Sequence, residues 1–148
     1  VFAPTDAAFT KFLSDNKFDS VNDVPKDVLT QILLNHVVSG TAKSTDLQTG
    51  YIKTLAKGGA STTNTLSMYV DLTSGVKLNG VAKVTTADVM ASNGIIHVVD
   101  AVIGLPTIVT HATANPNFST LATLLTTQNL ISTLSSSATP SPFTVLRL

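Results

Sequence analysis

Cysteine is absent from all 148 residues, which excludes a disulfide framework and a thiolate zinc site. Charge is scarce. Charged side chains make up 12% of the chain, and nine basic residues balance nine acidic ones. Without a net positive field, nothing draws the chain to nucleic acid or to an anionic membrane. Its apolar runs fall far short of the roughly 20 residues that cross a bilayer. No signal peptide is visible, and the chain opens without Met inside a motif described below, so the expectation is a fragment whose targeting sequence is missing. What remains is polarity supplied mostly by Thr, Ser and Asn. That profile fits a secreted or surface protein better than a cytosolic enzyme. The length suits one domain with a real core.

The stretch that organises the chain is Asn93-Gly94-Ile95-Ile96-His97-Val98-Val99-Asp100, continued by Ala101-Val102-Ile103. It is an apolar run with one histidine, opened by an Asn-Gly turn signal. Its β-branched residues are stiff and suit a buried strand, expected over residues 95–103. Gly94 accepts φ > 0 without steric cost, so the chain can turn sharply into it. Period-2 alternation puts Ile95, His97 and Val99 on one face and Ile96, Val98 and Asp100 on the other. A His-Asp dyad from His97 and Asp100 is therefore disfavoured.

This segment resembles the second signature of fasciclin (FAS1) domains, and Val1-Phe2-Ala3-Pro4-Thr5-Asp6-Ala7-Ala8-Phe9 resembles the first. Between them, Leu33-Leu34-Asn35-His36-Val37-Val38 is similar to the family's Tyr-His segment, with Asn35 where Tyr is common. The three motifs stand in the family's order, and the resemblance covers residues 1–106 in one piece. It implies an α+β fold: a FAS1-like twisted β-sandwich or wedge of short strands with several packed helices. It also implies that the conserved histidines form buried hydrogen bonds between the motifs, which gives Thr5, Asp6, His36, Asn93, Gly94, His97 and Asp100 structural roles.

Local chemistry fills in the elements. Pro4 stops a first strand, Thr5 can cap the next helix through its hydroxyl, and Asp6 suits the positive end of the helix dipole. The alternative role for Thr5 and Asp6 is ligand contact. Ala8, Phe9, Phe12 and Leu13 share a face. A second helix follows Asp23 and Pro25, with a stripe of Val28, Leu29, Ile32, Leu33 and His36, closed at Gly40. His36 is read as a core histidine, the alternative being an acid-base group. Ser44-Thr45-Asp46-Leu47 reads as a short capped turn, and Gly50 opens a strand over residues 51–55. Residues 57–64 form a loop of small polar side chains. Leu66, Met68 and Val70 alternate with polar residues as in a half-buried strand. Asn79-Gly80 signals a hairpin whose second strand is Val81-Ala82-Lys83-Val84, and residues 86–92 cross to the central strand. A metal pair from His36 and His97 lacks a further ligand at metal spacing. No metal and no cofactor is expected.

The last 42 residues, 107–148, read differently. Ile108, Val109 and Ala112 suggest a short helix broken at Asn115-Pro116-Asn117. Phe118, Leu121, Leu124 and Leu125 suggest an amphipathic helix, continued by Leu130, Ile131 and Leu134. Residues 135–141 read as a polar turn and Pro142-Phe143-Thr144-Val145 as a strand start. Asn117-Phe118-Ser119 matches the glycosylation acceptor pattern but suits a helix start. This tail is similar to the beginning of a fasciclin domain, which in the family precedes the Val-Phe-Ala-Pro motif. The expectation is a piece of a tandem-repeat protein: residues 1–106 lack the domain's N-terminal helices, and residues 107–148 supply them. The tail would close the fold in cis as a monomer, the alternative being exchange in trans within a swapped dimer.

The functional expectation from the resemblance is an extracellular adhesion or matrix-interaction module, at the cell surface or in a periplasm. It would bind other proteins, glycans or matrix polymers through its surface, without catalysis. Candidate contacts are the polar surface from Asp46 to Tyr51 and the loop from Lys57 to Asn64. One rival is an enzyme using Asp88 and His97, although no Gly-x-Ser-x-Gly elbow is present. The other is a small-ligand or pigment carrier, which needs an apolar pocket.

Overall fold

The structure, a computed structural model, describes residues 1–136 and 142–146. Six strands form one open mixed sheet in the order β1-β6-β5-β4-β3-β2. They are β1 (Phe2–Pro4), β2 (Gly50–Lys57), β3 (Thr65–Asp71), β4 (Lys77–Leu78), β5 (Ala82–Ala91) and β6 (Gly94–Val99). Helices α1 (Asp6–Asp15) and α2 (Lys26–Asn35) lie between β1 and β2, and α3 (Ile108–Ala114), α4 (Ser119–Thr127) and α5 (Ile131–Ser135) follow the sheet. β1 runs parallel to β6, and the other pairs are antiparallel.

β6 shows the alternation expected of it. Ile95, His97 and Val99 are buried, while Ile96 and Val98 are half-buried. It ends at Val99 and not at residue 103, because Asp100 leaves the ladder and its Oδ1 accepts from the Lys83 amide at 2.7 Å. Ile103 is still fully buried in irregular chain. Its core companions are Phe2, Leu47, Met68, Val70, Leu78, Ala82 and Val99.

β5 is longer than its sequence suggests. Residues 86–91, read as a crossing, belong to the strand. Ala82 and Lys83 pair with β4, and Val84 onward pairs with β6, so β5 changes partner along its length. The register shifts at Thr86 and again before Val89, and Asp88 sits at φ +60° in this bulged part. Solvent-facing Thr and Ala hide its period. A two-residue loop, Ser92-Asn93, then joins β5 to β6, with Ala91 opposite Gly94. The other tight turn follows its signal: Asn79 and Gly80 take φ +49° and +71°, and the Val81 amide donates to the Leu78 carbonyl at 3.0 Å, as in a type I′ hairpin.

β3 departs from the expected alternation. Met68, Tyr69 and Val70 are all buried. Tyr69 is covered on the second face by Tyr51 of β2, their rings 5.1 Å apart, and Tyr51 in turn meets His111 of α3. Pro142-Phe143-Thr144-Val145, read as a strand start, forms no strand, and residues 137–141 of the polar turn lie outside the described residues.

The outer edge of β2 borders α2. The Leu55 amide donates to the Val37 carbonyl at 2.9 Å, and the Lys57 amide to Gln31 Oε1 at 2.7 Å. Lys53 and Lys57 are exposed on this strand.

Candidate interaction surface

Three buried polar side chains tie α2 and β6 to the chain around them. α2 ends at Asn35, and His36 is its C-cap. His36 Nδ1–H donates to the Ile32 carbonyl at 2.8 Å, which leaves Nε2 to accept from the Ile103 amide, also at 2.8 Å. Burial pushes its pKa below the ordinary 6.5, and the bond to Ile32 partly offsets this. Asn35 is wholly buried, and its Nδ2 donates to the carbonyls of Ile103 at 3.3 Å and Gly104 at 3.0 Å. Its Oδ1 accepts from Thr54 Oγ1 at 3.1 Å. In β6, His97 Nε2–H donates to the Ala42 carbonyl at 2.8 Å, so Nδ1 accepts from the Asp88 amide at 3.2 Å. The ring stacks on Phe2 with centroids 5.4 Å apart. Each histidine thus spends both ring nitrogens on the backbone, and no lone pair is left for a metal or a substrate proton. Among the described residues no three His, Asp, Glu or Cys side chains gather to hold an ion.

The carboxylates of the enzyme alternative and of the motifs point elsewhere. Asp88 meets His97 through its amide, while its carboxylate accepts from the Ser44 amide and hydroxyl. Those bonds, the hydroxyl first, hold the Asp88 carboxyl below the usual range. Asp100 is tied to Lys83 and Asp6 is exposed in the first turn of α1. Thr5 Oγ1 accepts from the Ala8 amide at 3.2 Å, and the Thr5 amide donates to the Val99 carbonyl. Asn93 and Gly94 sit at the β5–β6 loop. The motif residues therefore join elements and do not converge on a cleft.

The candidate surface residues are spread out. Asp46 is exposed in a short 3-10 turn, where Oδ2 accepts from the Lys43 amide. Asn64 is exposed, its amide bonded to Ser61 Oγ at 3.0 Å. Tyr51 and Lys57 share the exposed alternation of β2, six residues apart, about 20 Å along a strand. Tyr51 is 47% exposed, yet its hydroxyl accepts from Asn115 Nδ2 at 3.1 Å.

A more apolar surface lies between α1 and α2. Phe9, Leu13, Val21, Leu29 and Leu33 line an open groove of 390 Å³. Val21, Val28 and Leu33 are 43, 44 and 45% exposed. Of the α2 stripe only Ile32 and the C-cap His36 are buried, together with Asn35. The signal was present: five apolar or neutral positions in nine residues form a wider arc than one buried face needs.

No helix among the described residues is long and apolar enough to cross a membrane. The family model for the fasciclin domain matches residues 1–106. Two Synechocystis proteins are similar over 103 residues, 70% of this chain: sll1483 at 40% identity and sll1735, itself uncharacterized, at 36%. The match takes in 53% of the first and 70% of the second, so the chain spans about half the length of the former. Among solved structures, a FAS1 domain pair from the insect cell adhesion molecule Fasciclin I shares the fold, with a TM-score of 0.53 and 20% identity over 93% of this chain and 48% of that one. With the mixed sheet and its helices in place and the family model covering residues 1–106, the chain belongs to the fasciclin domain family.

Proposed function

We propose that this chain is an extracellular adhesion or matrix-interaction module that binds proteins or surface polymers and performs no catalysis. Fasciclin domains are in general adhesion-related, non-enzymatic interaction modules of extracellular or secreted proteins, which supports the class. The observation that carries the reading is the groove between α1 and α2, where apolar side chains stay open to solvent. An apolar ridge of a partner protein would lose water there, at roughly 25 cal/mol per Å² buried. Absence of catalysis is supported by His36 and His97, whose ring nitrogens are all bonded to backbone, and by an Asp88 carboxylate turned to Ser44. The polar residues Asp46, Tyr51, Lys57 and Asn64 form the competing contact surface.

Adhesion of cells or matrix to the immobilised protein tests this. Leu33→Asp should lower binding at least tenfold, and Lys57→Glu should leave it unchanged. The reverse pattern moves the contact to the loop at residues 57–64. Binding insensitive to both overturns either surface, and no adhesion at all overturns the class.

A second reading is a small-ligand carrier. It is favoured by a 440 Å³ cavity lined by Ala8, Phe12, Val81, Ile103 and Leu105, with Lys11 and Asp15 also on its wall. Ligands of drug size occupy cavities in this range. Native mass spectrometry showing a co-purifying molecule supports it, and a bare protein mass removes it.

We also infer that residues 107–148 complete the fold of residues 1–106 within one chain. The contacts of Tyr51 with His111 and Asn115 support closure in cis. Light scattering across a concentration series separates this from a swapped dimer by its mass.

A further inference from the structure

The third histidine is the exception. His111 lies on α3, where the tail meets the sheet. Its ring stands edge-on to Tyr51, with centroids 5.5 Å apart and planes at 74°. Tyr51 leans on Tyr69 and accepts from Asn115 of the same tail. Ala114 presses on Gly80. On the other side His111 lines a 210 Å³ apolar cavity with Ile108, Phe118, Leu121 and Phe143. Its Nδ1 is buried and has no hydrogen-bond partner.

We propose that His111 is a pH-sensitive latch, whose protonation releases the tail helices from the β2–β3 face. The argument rests on what surrounds the ring. From β2 it meets the Tyr51 phenol, and behind that lies the Tyr69 phenol of β3; neither gains charge below neutral pH. The β4–β5 turn reaches α3 one turn further on, where Gly80 faces Ala114, and brings no titratable group. From α4, the turn before it and the segment after α5 come Leu121, Phe118 and Phe143. Asp71, at the end of β3, acts on Tyr69 and is not among the groups acting on His111. An imidazolium here would carry a charge with no counter-ion and a buried N–H with no acceptor. Residues 107–148 contain no Asp, Glu or Lys, and Arg147 stays charged throughout. His111 is therefore the tail's one side chain that changes charge between neutral and mildly acid pH.

The direction follows from the neutral docked ring. Burial lowers the docked pKa from 6.5, and a released tail titrates near 6.5. Docking is at full strength above that value and weakens as pH falls below it. The loss is at most about tenfold per pH unit and levels off below the docked pKa. This latch is independent of the adhesive reading and rests on the docking of residues 107–148 in cis.

Hydrogen exchange of the whole chain tests it, at pH 7.5 and 5.0 after correction for intrinsic rates. Amides of α3 and α4 should open about tenfold more at pH 5.0, relative to those of β3. His111→Phe, which keeps a ring against Tyr51, should abolish the difference. The two tyrosines, in a chain without Trp, give a fluorescence signal for the same joint. An NMR titration of the His111 ring in the unaltered protein must share the midpoint of tail opening. Tail exchange that ignores pH overturns the latch. So does an equal pH response in His111→Phe, or a midpoint that follows another group. Light scattering at pH 7.5 checks the docking separately: a dimer mass overturns closure in cis, while a monomer with a pH-blind tail overturns the latch alone.

Discussion

His36 and His97 sit in joints made of backbone hydrogen bonds, and His111 sits in a joint made of ring edges and small side chains. In the first pair both nitrogens are used: His36 bonds Ile32 of its own helix and distant Ile103, and His97 bonds Asp88 of the neighbouring strand and distant Ala42. In the second the ring touches Tyr51, and Nδ1 has no partner. A directional joint fixes register and resists sliding, because moving one element strands a buried donor. An apolar joint is held by area and by exclusion of water, and it tolerates small displacements more cheaply. The sheet region is thus locked by buried bonds to the backbone, while the tail is held mainly by contact, alongside the bond from Asn115 to the Tyr51 hydroxyl.

The sharpest way to break this contrast is His36→Leu. It leaves the Ile103 amide buried without an acceptor and should cost roughly 3 kcal/mol in urea unfolding. Its pH response should also change. Stability from the neutral ring is complete above 6.5 and is lost as pH falls from there toward the lowered folded value; the variant should lose that part of the acid slope. A cost below 1 kcal/mol would erase the distinction between the two joints.

Gly80→Ala probes the tail side. Gly80 holds φ +71°, and a Cβ there would lie 3.2 Å from the Ala114 Cβ. The expected cost is about 1–2 kcal/mol, part from the left-handed backbone and part from pushing α3 away. Faster exchange in α3 than in β6 locates the second part; uniform exchange would assign it all to the turn. The smallest effect is expected at the start of α1. Thr5→Ala removes the cap on the Ala8 amide and should cost about 1 kcal/mol in thermal unfolding, without altering exchange in the tail.

Legibility in the sequence follows the same divide. Where one local rule decides a residue's place, it could be read directly. The two faces of β6, the Asn79-Gly80 turn and the Thr5 cap are of this kind. Asn35 was noticed as a departure from the family pattern, but its burial depends on carbonyls 68 and 69 residues away. Tyr69 looked solvent-facing because the residues that cover it come from β2 and, beyond that, the tail. Residues 86–91 lack apolar alternation because the whole stretch is exposed and neither of its faces is buried. His111 gave no signal at all: its isolation becomes visible only once the lining of its cavity is known.

The border between β2 and α2 bears on crowding. At high local concentration an open strand edge invites a neighbouring chain to add its own strand. Here the Leu55 and Lys57 amides are already occupied by Val37 and Gln31, and Lys57 leaves an exposed charge on the strand, while the Lys53 ammonium donates to the Thr65 carbonyl of β3 at 3.2 Å. At this border an added strand would find those two amides already bonded and would gain little from pairing there.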